Sequence, residues 1–245
     1  MSTAPSERTE NTAPGPVRPR RRLPPIPSGE AYYPYLLLAL ILLTLAYPII
    51  TVWPAGRMIE KAIMAAVLIT GTLATYKRRS QILLTAAMLV IMVSSGIATE
   101  MRHDAAGWLL ITFLSSITGF LSLVTWLLAR DVFSKRNRVT ANLLYGAVSV
   151  YMLIGTAFAA VHFLIEQVAP DSYHCGSPQC DGVPRIAAYV YFSFITLSTV
   201  GYGEILPNSH VAGTLSYVEA IVGQMYVAIL VARLVGMQIA HSLND

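Results

Sequence analysis

Charged side chains are scarce in this sequence. Lys, Arg, Asp and Glu make up 12% of the 245 residues, whereas 55% of the residues are hydrophobic. Soluble chains are about a quarter charged, so this low fraction, with a mean hydropathy of +0.57, excludes an ordinary soluble domain. The composition is typical of an integral membrane protein.

The sequence also has few groups for catalysis or metal binding. It contains two cysteines and five histidines. Its apolar stretches hold no Ser/His/Asp grouping, no HExxH motif and no cluster with metal-ligand spacing. We therefore expect neither an enzyme nor a bound cofactor.

Long apolar runs predict six membrane-spanning helices, since about 20 helical residues cross the ~30 Å hydrocarbon core. The predicted spans are residues 31–56, 58–76, 80–99, 105–129, 139–165 and 211–240. The predicted fold class is an all-α membrane protein with six transmembrane helices per subunit.

The predicted spans group into domains. Residues 1–30, rich in proline and arginine, are predicted to form a disordered cytoplasmic arm. Residues 31–129 form a four-helix peripheral domain, residues 130–140 a cytoplasmic linker, and residues 141–245 a pore domain.

The positive residues are unevenly distributed. Twelve of the 17 Lys and Arg residues lie in the arm, between the second and third spans, or between the fourth and fifth spans. By the positive-inside rule both termini are cytoplasmic, and we expect a multi-pass plasma-membrane protein. The net charge of +4 thus reflects topology and not nucleic-acid binding. The basic linker suits contact with anionic lipids.

An unusual segment, PRIAAYVYFSFITLSTVGYGEILP at residues 184–207, lies between the fifth and sixth spans. Its apolar first half is about 14 residues long, too short to cross the bilayer. The TxxTVGYG string that follows, residues 196–203, resembles the signature sequence of potassium-channel filters. A chance glycine-rich turn is the alternative, but the position between two hydrophobic helices disfavours it. From about Thr140 to Ala240 the chain is similar to the tetrameric potassium-channel family.

This resemblance implies a re-entrant pore helix followed by a filter that binds K⁺. The ion would be held by the Thr199 hydroxyl and by four backbone carbonyls, those of Thr199, Val200, Gly201 and Tyr202. Gly201 and Gly203 can adopt positive φ, so that successive carbonyls line one axis. The Tyr202 side chain is expected to pack against the pore helix. Because a filter needs four loops and the chain has one, we expect a homotetramer.

Around the filter the sequence departs from the family pattern. Ile195 and Glu204 stand where many relatives have an acidic residue and an Asp, and Tyr191 and Phe192 replace a tryptophan pair. Without a carboxylate at Ile195, the acid pair that helps some filters inactivate cannot form. Tyr191 can donate a hydrogen bond and Phe192 cannot, so this support, which includes Thr196, depends more on packing.

The sixth span contains candidate gating residues. Gly223 matches the inner-helix glycine at which many relatives bend, although close helix packing is an equal alternative. Val227 and Val231 line an inner constriction or simply pack. Arg233, about 15 Å beyond Gly223, is expected at the inner membrane surface, more as a snorkelling anchor than as a gating contact.

The outer loop contains both cysteines, Cys175 and Cys180, which favour a disulfide over two free thiols on this face. With His174 they lack a fourth ligand for a zinc site. Glu166, at the end of the fifth span, either braces the outer mouth or is a solvated helix end. Together with Glu204 it makes the entrance acidic.

The fourth predicted span contains no Lys or Arg from residue 105 to residue 129. Gating charges supply about 2.3 kcal/mol per charge per 100 mV, so we do not expect voltage sensing through this helix. His103 and His162 could sense pH, but isolated histidines are more often structural.

The leading hypothesis is a passive, potassium-selective tetrameric channel. The alternative from another class is a membrane sensor or scaffold with a closed or vestigial pore. A transporter is disfavoured because the sequence has no visible inverted repeat.

Overall fold

A computed structural model of the protein describes residues 29–45, 56–75, 79–101, 107–134, 140–176 and 185–242. These ranges contain a 3-10 turn (Gly29–Tyr32), seven α-helices and two short strands. In chain order the helices and strands are α1 (Tyr33–Leu45), α2 (Gly56–Ala74), α3 (Arg79–Met101), α4 (Gly107–Val132), α5 (Ala141–Val168), β1 (Tyr173–Cys175), α6 (Arg185–Leu197), β2 (Ile205–Pro207) and α7 (His210–Ser242).

Three of the described helices are long and apolar enough to cross a membrane: α4, α5 and α7 up to Ile239. They coincide with the fourth, fifth and sixth predicted spans. Helices α1, α2 and α3 contain shorter apolar stretches, so membrane crossing by the first three predicted spans stays a prediction. Helix α6 has 13 residues and is about 20 Å long, short of the bilayer core.

The helix ends differ from the predicted boundaries by a few residues. Helix α4 continues to Val132, inside the predicted linker, of which residues 135–139 lie outside the described residues. Helix α5 begins after Thr140, whose side chain accepts a hydrogen bond from the Leu143 amide at 3.2 Å, and such a cap fixes a helix start. It ends shortly before Pro170, which cannot continue a helix. Apart from residues 29 and 30, the predicted arm also lies outside the described residues.

The described chain is mostly helical, in agreement with the predicted fold class, but β1 and β2 add a short two-stranded antiparallel sheet that the sequence did not indicate. Tyr173 pairs with Pro207, His174 with Leu206, and Cys175 with Ile205. Strands of three residues are too short to show an alternating hydrophobic pattern. The sheet joins the loop after α5 to the residues just after the filter.

The main core lies between α1, α4 and α5. The Tyr33 ring of α1 packs so closely on Gly146 of α5 that a Cβ at Gly146 would lie 2.7 Å from it. The Tyr33 hydroxyl also donates a hydrogen bond to Asp131 near the end of α4. The surrounding buried side chains include Leu36, Leu40, Phe120, Leu121, Val150 and Leu153. Helices α1 and α4 thus pack against α5 of their own chain.

Helix α7 is mostly uncovered within the chain. Only 11% of its most apolar 18-residue window is buried, against 50% for α5. Its exposed apolar side chains include Ile221, Met225, Val227, Ile229 and Val231. This apolar surface is available to lipid or to neighbouring subunits.

Candidate functional site

The predicted filter, residues 199–203 and called the filter below, begins at the carboxyl end of α6, where the helix closes in a Schellman motif. The Thr199 amide donates to the Thr196 carbonyl (2.9 Å) and the Val200 amide to the Ile195 carbonyl (2.8 Å), the two bonds that define the motif. Thr199 occupies its left-handed position with φ 59°, where glycine is usual. Left-handed backbone costs a residue with a Cβ about 1–2 kcal/mol. The chain therefore keeps a hydroxyl at a position where glycine would be less strained.

Left-handed residues alternate along the filter. Gly201 has φ 53° and Gly203 has φ 93°, while Val200 and Tyr202 have no positive φ. In an ordinary extended strand, successive carbonyls point to opposite sides. Alternating handedness removes this constraint, so that carbonyls can face one side. Both glycines have the positive φ expected of them; the same conformation at Thr199 was not foreseen.

The Thr199 hydroxyl has two partners. It donates to the Ser198 carbonyl at 2.7 Å and accepts a hydrogen bond from the Gln224 amide of α7 at 3.0 Å. Sequence reasoning missed Gln224, although a polar side chain in an apolar membrane helix is itself a signal of function. Helix α7 therefore contacts the first residue of the filter directly.

Gly223 brings α7 against the end of α6. A Cβ at this position would lie 2.1 Å from the Leu197 carbonyl oxygen and 2.9 Å from its Cδ1 atom. Helix α7 continues through Gly223 without interruption. This contact favours the close-packing alternative, and a hinge at Gly223 stays a prediction. The close approach also places Gln224 beside Thr199.

At the other end of the filter, Glu204 links three segments of the chain. Its carboxylate accepts a hydrogen bond from the Tyr191 hydroxyl of α6 at 3.1 Å, and its carbonyl accepts one from the Gly176 amide at 3.0 Å. Tyr191 thus makes the donor contact that its side chain allows. Phe192 is buried and its ring centroid lies 5.0 Å from that of His162, so its contribution is packing.

Glu166 shapes the turn that precedes β1. Its carboxylate oxygens accept hydrogen bonds from the Asp171 amide (3.2 Å) and the Tyr173 amide (3.3 Å). Since β1 pairs with β2 immediately after the filter, these contacts favour the bracing role over a solvated helix end. Burial raises the pKa of the Tyr173 hydroxyl well above its ordinary value, so Tyr173 keeps its proton even at alkaline pH where an exposed tyrosine begins to ionise.

A buried polar cluster lies between α5, β1, α7 and α6, the predicted pore helix. His162 Nδ1 lies 2.5 Å from the Tyr173 hydroxyl and Nε2 lies 2.8 Å from the Glu219 carboxyl group. Ser193 Oγ contacts the other Glu219 oxygen and lies 2.7 Å from the Gly155 carbonyl. His162, Ser193 and Glu219 are 0% exposed. His162 is therefore not the isolated histidine that the sequence indicated, and Ser193 and Glu219 were missed.

The filter itself is open in the single chain. Val200 is 52% exposed and Tyr202 is 70% exposed. Both side chains are thus largely uncovered by the described part of the chain. Packing of the Tyr202 side chain against the pore helix therefore stays a prediction.

At the other end of α7, Arg233 binds the carboxyl end of α4. Its guanidinium donates to the carbonyls of Val132 and Ser134, the latter at 2.8 Å, and lies 5.4 Å from the Phe133 ring centroid. Basic side chains stabilise helix ends in this way. This contact joins α4 to α7, and the anchoring and gating roles of Arg233 stay predictions. Val231, close by on α7, is exposed.

Several other predicted features involve residues that lie next to or outside the described ranges. Cys175 ends β1, while Cys180 and His103 lie outside the described residues. The bridge between the cysteines therefore stays a prediction. In the part of the chain that the structure describes, no group of three or more His, Cys, Asp or Glu residues could hold a metal ion.

A helix of less than membrane length, followed by a loop of alternating handedness and flanked by two membrane-length helices, is the arrangement expected of the pore region of an ion channel. Residues 173–238 match the model of a protein family described as ion channel. The match covers β1, α6, the filter, β2 and most of α7. It supports an ion-channel family and a membrane protein, and it points to a channel rather than an enzyme. No curated protein and no solved structure matches the chain.

Proposed function

We propose that the protein is a homotetrameric, potassium-selective channel that passes K⁺ passively across the plasma membrane. The observation that carries the proposal is the TVGYG sequence at the end of α6, with left-handed backbone at Thr199, Gly201 and Gly203. Carbonyls that line one axis can replace the water shell of K⁺. The Thr199 hydroxyl adds one more oxygen at the base.

The tetramer is supported by what the single chain leaves uncovered. A loop with Val200 and Tyr202 more than half exposed cannot enclose an ion, and irregular backbone at membrane depth needs protein around it. Four copies about one axis would close the ring. Tyr202 would then pack against the pore helix of a neighbouring subunit.

In this proposal α1, α2 and α3 complete six spans, with both termini cytoplasmic. The basic linker after α4 would contact anionic lipids at the inner surface. Helix α4 carries no Lys or Arg from residue 107 to residue 129, so no charge moves through the field and voltage does not gate the pore through this helix.

The test compares two glycines in reconstituted protein. A Cβ at Gly201 and one at Gly213 both meet nothing within 4 Å, but only Gly201 has a positive φ. Gly201→Ala should therefore reduce K⁺ over Na⁺ selectivity in liposome flux assays, whereas Gly213→Ala should not. Equal selectivity in the two variants would refute the filter assignment. Absence of K⁺ flux in wild-type liposomes would favour the sensor or scaffold alternative.

A further inference from the structure

The cluster behind the pore helix joins four elements of the pore region. His162 comes from α5, Tyr173 from β1, Ser193 from α6 and Glu219 from α7. None of these residues belongs to the filter sequence. Ser193 lies six residues before Thr199, on the helix whose last turn forms the base of the filter.

The protons of the cluster can be counted. It makes four contacts: Tyr173 with His162, His162 with Glu219, Glu219 with Ser193, and Ser193 with the Gly155 carbonyl. Each contact needs one proton, and a serine hydroxyl has only one to donate. Ser193 therefore cannot donate to both Glu219 and Gly155. Since the Gly155 carbonyl only accepts, all four contacts are satisfied only when the proton between Ser193 and Glu219 belongs to the carboxyl group.

The remaining contacts agree with this assignment. A protonated Glu219 accepts the Nε2 proton of a neutral His162 on its other oxygen, and His162 Nδ1 accepts the Tyr173 hydroxyl proton. Every contact then has one donor, and every group is neutral.

A charged His162 facing an ionised Glu219 contains the same number of protons but satisfies fewer contacts. The Tyr173 hydroxyl proton would lose its acceptor, because His162 is its only hydrogen-bond partner in the described part of the chain. Ser193 would also have one proton for two acceptors. An unmade hydrogen bond and a buried charge both cost free energy where no water reaches.

We propose that Glu219 is held as a neutral carboxylic acid that donates a hydrogen bond to Ser193 and so positions the pore helix and the filter it carries. The inference rests on the proposed potassium-channel function. Helix α6 packs closely against α5 at this point, since a Cβ at Gly155 would lie 2.8 Å from the Phe194 ring. A shift of the Ser193 contact would therefore be transmitted along α6 to Thr199.

Glu219→Gln is the decisive variant. The glutamine N–H can donate to Ser193 in place of the acid proton, while its carbonyl accepts from His162. In full-length protein reconstituted in liposomes, this variant should keep the wild-type K⁺ over Na⁺ flux ratio within about twofold. Glu219→Leu, which breaks both contacts, should lower that ratio on the order of tenfold, the scale of one broken buried hydrogen bond.

Ser193→Ala should resemble Glu219→Leu, because it leaves the acid proton without an acceptor. Ser216→Ala is the matched control, since Ser216 lies on α7 one turn before Glu219 and bonds only to the Ala212 carbonyl of its own helix. That control should keep the wild-type flux ratio. A Glu219→Gln variant as unselective as Glu219→Leu would overturn the proposal, as would a selective Glu219→Leu variant.

Infrared spectroscopy of the wild-type protein gives a second readout that does not depend on flux. The C=O stretch of a protonated carboxylic acid should be present, should disappear in Glu219→Gln and should persist in Glu204→Gln. An unchanged spectrum in Glu219→Gln would show that Glu219 is ionised and overturn the proposal, even where Glu219→Leu fails to assemble. Wild-type protein without K⁺ selectivity would instead contradict the proposed function.

Discussion

Replacement of Gly223 by alanine tests the contact that holds α7 against the end of α6, where the predicted filter begins. An alanine Cβ would lie 2.1 Å from the Leu197 carbonyl oxygen, whereas an ordinary contact begins at 3.4 Å, so α7 or the end of α6 must move by more than 1 Å. Leu197 is 0% exposed, and its backbone is held by the helix end. Overpacking of this kind costs about 1–3 kcal/mol. Gly223→Ala should therefore lower the free energy of unfolding and disturb the filter.

The matched control is Gly236→Ala on the same helix, where a Cβ would meet nothing within 4 Å. Alanine in place of glycine inside a helix stabilises it by up to about 1 kcal/mol. The two substitutions should thus have opposite signs in denaturant unfolding of the protein in detergent micelles. K⁺ over Na⁺ selectivity in liposomes should fall only for Gly223→Ala. A Gly223→Ala protein as stable and selective as Gly236→Ala would refute the close-packing account.

Three further substitutions test separate contacts. Arg233→Gln should lower the free energy of unfolding by about 1.5–3 kcal/mol, because the carbonyls at the end of α4 lose a charged hydrogen-bond donor. The control is Arg130→Gln, since the Arg130 side chain stacks on a tryptophan ring at 5.8 Å, and this substitution should change the free energy by less than about 1 kcal/mol. Equal losses in the two variants would contradict the role of Arg233 at the end of α4. Gln224→Leu should reduce K⁺ flux in liposomes by up to about tenfold through the lost bond to the filter hydroxyl, and it should lower the free energy of unfolding by about 1 kcal/mol or less. Unaltered flux would remove Gln224 from the site. Tyr191→Phe should make currents decline faster during sustained K⁺ conduction, since it releases the Glu204 carboxylate at a cost of about 1 kcal/mol, and an unchanged time course would show that this bond does not support the filter.

The parts of the fold that could be predicted are those encoded by continuous stretches of the sequence. Apolar runs of membrane length predicted α4, α5 and α7, because burial in lipid demands an unbroken run of apolar residues. The glycines of the TVGYG string predicted the positive φ that Gly201 and Gly203 adopt, whereas the role of this string as a filter stays a prediction. Pairing of these elements could not be deduced in the same way.

The contacts that were missed join residues far apart in the chain. His162 and Glu219 are 57 positions apart, and Arg233 is 101 positions from Val132. No local periodicity records such pairs, because they depend on how the helices cross. The left-handed Thr199 was missed for a different reason: glycine usually marks that position of a Schellman motif, and here the hydroxyl is kept at the expense of strain. The polar side chains Glu219 and Gln224 in the apolar helix α7 were signals that could have been used.

The central claim is tested most directly by the reversal potential of the reconstituted wild-type protein, measured in a planar bilayer with K⁺ on one side and Na⁺ on the other. A potassium-selective filter predicts a reversal potential displaced toward the K⁺ equilibrium potential, with K⁺ at least about tenfold more permeant than Na⁺. A reversal potential near zero, or the absence of current, would contradict the account.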